Sequence, residues 1–250
     1  MVKVLVPVSG GKDSQLCLQL AVEEVGREGV LGLFCDTQFE HPLTYLHIEQ
    51  MRAWYGIQIE RITTGSVPEK VRKYGRFPGG GARFCTDELK IRPTIQYAKA
   101  LATRLGHGFE IWYGMRTEES TERAIRYRDR VADELYAPHE FMPGKYPKYL
   151  AAMGVTVRLP ILDWSKWQVL GEVGERLNPL YAAGFDRVGC FPCLAGGDAS
   201  KERAFGFDET GRERKSIVIR LEEETGKSIW TSKGGAMRNN PAQMCMLCMV

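Results

Sequence analysis

The hydrophobic positions of this chain fall into short apolar runs and helical stripes that alternate along the sequence. Residues Val2 to Val8 form a valine-rich run that predicts a buried strand. The run stops at Ser9-Gly10-Gly11. Leu16, Cys17, Leu20 and Ala21 then recur on one face of a helix. Gly26 and Gly29 end that helix, and Val30 to Cys35 predicts a second strand. Strand, loop, helix and strand in that order make the unit from which parallel sheets are built.

The alternation continues less regularly. Leu43 to Tyr55 suits a helix and Ile57 to Ile62 a strand. Gly75 to Ala82 reads as a glycine-rich loop. Leu89 to Leu105 predicts a helix in which Pro93 falls in the first turn or interrupts it. Ile111 to Gly114 and Val155 to Leu159 predict further strands, the latter the last of the core, and Trp164 to Leu177 a helix. The class expected is α/β with a Rossmann-like parallel sheet. Composition changes after Cys190. A polar stretch begins at Gly196-Gly197, Lys215 to Glu224 suits an amphipathic helix with Ile217 and Leu221 on one side, and the chain ends in an apolar, sulfur-rich segment. This divides the chain into a main domain, 1–195, and a small accessory region, 196–250, that carries the Cys-rich tail.

Composition narrows the picture. The chain has 250 residues, of which 44% are hydrophobic, enough for a sizeable core. A formal charge of +3 permits an anionic ligand without specifying a nucleic-acid groove. No stretch has the length and apolarity of a membrane span, and the first residues lack the order of a secretion signal. A cytoplasmic location, away from membranes, is expected. The seven cysteines, at 17, 35, 85, 190, 193, 245 and 248, are odd in number, which does not suit a closed disulfide framework. Cys17 and Cys35 lie in apolar periodic segments and read as packing residues.

The densest chemistry is Ser9-Gly10-Gly11-Lys12-Asp13-Ser14. Two glycines after a strand let the backbone bring N–H groups to an anion, and the following helix presents its positive end. Lys12 adds a point charge, Ser9 and Ser14 add hydroxyls, and Asp13 orients the loop or helps to position a metal. The spacing is neither a Walker A motif nor a dinucleotide fingerprint. A tight turn whose Asp or Ser merely caps the helix is the plainer alternative.

This loop resembles the PP-loop of the adenine nucleotide alpha-hydrolase-like superfamily. Other segments resemble the phosphoadenosine phosphosulfate (PAPS) reductase family within it. Asp36-Thr37-Gln38-Phe39-Glu40-His41-Pro42 resembles D-T-G-x-E-x-P, and Phe84-Cys85 through Lys90 and Pro93 resembles C-C-x-x-x-K-x-x-P. Gly114-Met115-Arg116 through Ser120 and Arg123 resembles G-x-R-x-x-E-S-x-x-R. Pro160 to Trp164, Asn178-Pro179-Leu180-Tyr181 and Gly189-Cys190-Phe191-Pro192-Cys193 also resemble family segments, in the family's order. The resemblance implies a sheet of the PP-loop ATP pyrophosphatase type. It implies nucleotide binding by Ser9, Gly10, Gly11, Lys12, Asp13, Ser14, Asp36 and Arg116, with Lys12, Asp13 and Arg116 taking part in catalysis. Lys90, Arg92 and Arg123 are further candidates for an anionic cleft, and His41 for its edge. Three features depart from the family's reductases. Cys85 has no adjacent cysteine, Lys12 gives the loop the form seen in members that split ATP, and the tail sequence differs.

Cys190-x-x-Cys193 and Cys245-x-x-Cys248 are two pairs of the kind that build sulfur sites for metals. The resemblance brings Cys85, Cys190 and Cys193 together near the nucleotide. It implies a 4Fe–4S cluster with Cys248 or Cys245 as fourth ligand, or zinc instead, and metal-free redox cysteines are a further reading. Three functions follow. The first is adenylylation by ATP with Mg²⁺, coupled to iron–sulfur-assisted sulfur transfer or nucleic-acid modification. The second is a sulfonucleotide reductase, in which Cys245 or Cys248 attacks a sulfate sulfur and a thiol reductant releases sulfite. The third is a non-catalytic nucleotide-binding subunit. Expected partners are an adenine nucleotide, a thiol reductant or sulfur donor, a nucleic-acid acceptor, and a second copy or a modification complex.

Overall fold

The computed structural model describes residues 1–79 and 83–230. Five strands, β1 (Val4–Val8), β2 (Val30–Cys35), β3 (Gln58–Ile62), β4 (Glu110–Trp112) and β5 (Thr156–Arg158), form one sheet in the order β3-β2-β1-β4-β5. Every pairing is parallel, and β1 meets β2 in register from Val4 opposite Val30 to Val8 opposite Phe34. β1 and β2 are buried at every residue, which is why they read as continuous apolar runs rather than alternating ones.

Helices cover both faces. On one, Leu16, Cys17, Leu18 and Ala21 of α1 (Lys12–Val25) pack with Ile48 and Met51 of α2 (Pro42–Tyr55) against Val4, Val6 and Val8. On the other, Leu5, Leu31, Leu33 and Ile111 meet helix Arg92–Leu105 through Ile95, Ala98 and Leu101. Pro93 stands in the first turn of that helix, and the expected residues before it, Leu89 to Ile91, belong to a π-helical turn, Asp87–Ile91. Cys17 and Cys35 are both buried in the core.

Among the described residues, two helices of eight residues or more have no counterpart in the periodicity. The first is α3 (Val67–Tyr74), which completes α1 to α3 ahead of helix Arg92–Leu105, now α4. Its start is a capping box: Ser66 Oγ accepts from Glu69 N at 3.3 Å, and Glu69 Oε2 accepts from Ser66 N at 2.8 Å. After α5 (Thr121–Tyr127) and α6 (Lys166–Val173), which Gly174 ends, come α7 (Asp198–Phe207), the second unread helix, and α8 (Glu209–Thr225). Leu194, Phe205, Val218 and Leu221 share one apolar cluster with Phe39, Val67, Val71 and Phe84. The helices beyond residue 196 therefore close over the loops that follow β2 and α3. No helix among the described residues is long and apolar enough to cross a membrane.

Candidate functional site

The strands after β1 are added first on one side of it, as β2 and β3, and then on the other, as β4 and β5, so a switch point lies between β1 and β4, where open α/β sheets place ligands at the carboxyl ends of their strands. The Ser9–Ser14 loop leaves β1 at that point. Gly10 has φ +74°, and a Cβ there would lie 2.6 Å from Thr44 Cγ2. Gly114, just past β4, leaves no room either: a Cβ would meet Asp13 C at 2.6 Å and Ser14 N at 2.8 Å. The loop is thus pressed between Thr44 of α2 and the chain that follows β4.

The loop is tied by its own hydroxyls. Ser14 Oγ accepts from Ser9 N at 3.1 Å and donates to Gly11 O at 3.0 Å. From outside, Asn178 Nδ2 donates to Gly10 O at 3.2 Å, and Lys12 N donates to Tyr181 Oη at 3.0 Å. Lys12 Nζ lies 2.7 Å from Asp13 Oδ2, and Arg116 Nε lies 2.5 Å from Asp13 Oδ1. Burial lowers the Lys12 ammonium from its ordinary value, opposed by the Asp13 carboxylate.

The loop opens onto a cavity of about 560 Å³. Ser9, Gly11, Lys12, Asp13 and Ser14 form one side of it. Thr37, Lys90, Cys85, Cys190 and Cys193 line it further on, with Arg83, Arg123, Arg187 and Arg203 around the wall. Arg123 pairs with Glu119, which also lines the cavity and lies 3.9 Å from Arg187 Nη2.

Several expected residues stand elsewhere. Arg116 is buried behind the wall, where it holds Asp13 and, through Nη1 at 2.7 Å, Glu118 Oε2. Asp36 is buried too, and its carboxylate serves the chain itself. Oδ1 accepts from Tyr45 Oη at 2.7 Å and Gln38 N at 2.8 Å, and Oδ2 from Arg61 Nη2 at 2.6 Å. Burial works against its charge, but Arg61 and Tyr45 hold it below the ordinary carboxylate value. Arg92 pairs with Asp87, and His41 caps α2 through Nδ1 while Nε2 meets Asp208 Oδ2 at 2.8 Å. Cys245 and Cys248 lie outside the described residues. Asn178, Tyr181 and Glu40 carry contacts that the sequence reading did not assign, although all three stand in segments that resemble the family.

The metal centre needs correction. Cys85, Cys190 and Cys193 do line one cavity, but among the described residues no group of three or more His, Cys, Asp or Glu side chains is placed to hold a metal ion. The expected 4Fe–4S cluster on Cys85, Cys190, Cys193 and Cys248, and the zinc alternative, do not fit this arrangement. Cys190 Sγ is turned to Thr37 Oγ1 at 3.2 Å and Glu40 Oε1 at 3.9 Å. Burial pushes its thiol up, away from the thiolate a metal requires. Cys193 is exposed, whereas Cys85 and Cys190 are half-buried.

A parallel sheet in this order with a glycine-rich loop at its switch point is the architecture of the PP-loop adenine nucleotide alpha-hydrolase-like superfamily. Residues 3–195 match the phosphoadenosine phosphosulfate reductase domain, and the chain belongs to that family. An uncharacterized protein of Methanocaldococcus jannaschii is 31% identical over 195 residues, 77% of this chain and 36% of the relative. An uncharacterized protein of Escherichia phage 186 is 28% identical over 242 residues, 76% of this chain and 66% of the relative. The chain thus spans between about a third and two thirds of the length of these two. The adenosine 5'-phosphosulfate reductase of Neisseria meningitidis serogroup B is 26% identical over 204 residues, 74% of this chain and 73% of that enzyme. The crystal structure of PAPS reductase from Candida auris, a phosphate complex, superposes with a TM-score of 0.50 at 16% identity, covering 76% of this chain and 82% of that one, which shows the shared fold.

Proposed function

We propose that the chain is a sulfonucleotide reductase, which converts adenylylsulfate or its 3'-phosphorylated form to sulfite. One observation carries this: a single cavity is lined by the phosphate loop, by cysteine thiols and by arginines. Family membership and the likeness to the Neisseria reductase support it. The loop amides and Lys12 receive the 5'-phosphate, and guanidinium groups suit the sulfate because their planar fork pairs with two oxygens. Arg116 acts through Asp13, and Asp36 through the loop that follows β2.

The chemistry begins with a tail thiolate, Cys245 or Cys248. It attacks the sulfate sulfur, the sulfur–oxygen bond breaks, and the nucleotide leaves with the electron pair, as AMP from adenylylsulfate or as adenosine 3',5'-bisphosphate from the 3'-phosphorylated form. The product is an S-sulfocysteine. A second thiol attacks the cysteine sulfur, sulfite leaves with the electron pair, and a disulfide remains. In this reading residues 1–195 bind the nucleotide, residues 196–250 bring the tail cysteines to it, and a thiol reductant of a reducing compartment such as the cytoplasm restores the enzyme.

The test is a pair of incubations of the reduced protein. Adenylylsulfate with a dithiol reductant is expected to yield AMP and sulfite, and ATP to yield no pyrophosphate. Pyrophosphate from ATP without sulfite from either sulfonucleotide would replace this reading with adenylyl transfer, for which Lys12 on the cavity wall is the favouring feature.

A further inference from the structure

Cys190 and Cys193 are separated by two residues, both line the cavity, and both are free thiols. Their surroundings differ. Cys193 is exposed to a reactant in the cavity, while Cys190 is half-buried. Cys190 Sγ lies 3.9 Å from Glu40 Oε1 and 3.2 Å from Thr37 Oγ1. An antiparallel backbone bridge joins Glu40 to Cys190, and Phe191 N donates to Phe39 O at 2.6 Å, so the carboxyl and the thiol are fixed to each other by main chain. Glu40 is 1% exposed, and burial raises its carboxyl above the ordinary value. An accessible attacking thiol beside a sheltered second thiol with its own proton acceptor is the asymmetry that two-step thiol–disulfide exchange uses.

We infer that Cys190 and Cys193 are a redox dithiol that resolves the S-sulfocysteine, with Glu40 taking the Cys190 proton; this rests on the reductase reading above. Cys193 Sγ attacks the cysteine sulfur of the S-sulfocysteine. A mixed disulfide forms, and the bond to the sulfo group breaks with its electron pair, releasing sulfite. Cys190 then loses its proton to Glu40 and attacks Cys193 Sγ. The Cys190–Cys193 disulfide forms, and the first cysteine leaves as a thiolate. The dithiol loses two electrons and the sulfate sulfur gains them. An external dithiol is needed only to reopen the Cys190–Cys193 disulfide for the next turnover.

The experiment uses the full chain, reduced and then freed of small thiols under nitrogen. It is mixed with adenylylsulfate, quenched in acid, alkylated and read by peptide mass spectrometry, with AMP and sulfite measured in parallel. The wild type is expected to release sulfite stoichiometric with chain and to yield a peptide with Cys190 joined to Cys193. Cys193→Ser should stop at the S-sulfocysteine, with AMP released and no sulfite. Cys190→Ser should trap a mixed disulfide to Cys193. Wild-type protein that forms AMP and S-sulfocysteine but releases no sulfite until a thiol is added overturns the dithiol and leaves the reductase reading intact. No AMP and no sulfo adduct on any cysteine overturns both.

Discussion

Tyr181 Oη accepts a hydrogen bond from the backbone N–H of Lys12 at 3.0 Å. That N–H stands in the first turn of α1, among the helix-start donors that an anion would otherwise take. The phenol therefore occupies a position suited to a phosphate oxygen. Tyr181→Phe removes the acceptor without opening the wall. The free protein is expected to lose about 1 kcal/mol of unfolding free energy, the ordinary net worth of such a bond. Affinity for AMP should rise several-fold, because the amide no longer has an internal partner. Urea denaturation and calorimetric titration read the two effects, and weaker AMP binding would show that the hydroxyl serves the ligand instead.

Arg116 spans two carboxylates, Asp13 at 2.5 Å and Glu118 at 2.7 Å, from a site only 3% exposed. Lysine carries one compact charge and cannot hold both with separate nitrogens. Arg116→Lys is expected to cost about 2 kcal/mol of stability, in the range for hydrogen bonds to charged groups. Nucleotide binding should weaken as well, because the released Asp13 no longer fixes Lys12. A variant with wild-type unfolding but impaired binding would indicate a direct contact between Arg116 and the ligand.

The sheet was legible because its chemistry is local. β2 coincides with the run Val30 to Cys35, and the phosphate loop is contiguous, so its donors are adjacent in sequence as well as in space. α3 was not legible from periodicity, since Val67 and Val71 are its only buried positions among charged neighbours. The capping pair Ser66 and Glu69 was the stronger signal there. α7 hides for a different reason. One of its three buried residues is Lys201, whose ammonium meets Ile229 O at 2.5 Å and Asp198 at 2.8 Å, and a lysine reads as surface. The partnership of Arg116 with Asp13 joins residues 103 apart, which no spacing rule exposes. For Cys190 and Cys193, spacing showed that the thiols are neighbours but not that Cys190 turns toward Thr37 and Glu40.

Gly114 tests how tightly the end of β4 holds the loop. Its missing Cβ would fall 2.6 Å from Asp13 C and O, which are backbone atoms and cannot swing aside. Gly114→Ala must push α1 away from β4 and displace the Asp13 carboxylate. The expected loss is about 2 kcal/mol, typical of overpacking in a filled interior, together with reduced AMP affinity. Exposed Gly171, whose added Cβ meets nothing within 4 Å, supplies the control: Gly171→Ala should leave AMP affinity unchanged. Equal behaviour of the two variants would count against a pressed loop.

His47 gives the fold a defined response to acid. It is fully buried on α2, with Nε2 2.9 Å from Gln15 Oε1. Gln15 Nε2 donates to Arg176 O at 2.7 Å, so Gln15 Oε1 is the acceptor and His47 Nε2 carries the proton. Nδ1 is buried without a hydrogen-bond partner among the described residues, so protonating it would bury a charge without a compensating hydrogen bond from them. Burial accordingly lowers the imidazole from 6.5 to about 4. The sign follows from proton counting. Between pH 6.5 and 4 the unfolded chain binds a proton at His47 and the native state does not, so stability is complete above 6.5 and falls as pH drops through that window. By pH 5 the loss from this residue is about 2 kcal/mol. His47→Gln retains an amide donor for Gln15 and removes the titration. Its stability at pH 5 relative to pH 7 should therefore fall by about 2 kcal/mol less than that of the wild type, measured by urea denaturation at both values. Parallel losses in the two proteins would mean that His47 titrates alike in the folded and unfolded states.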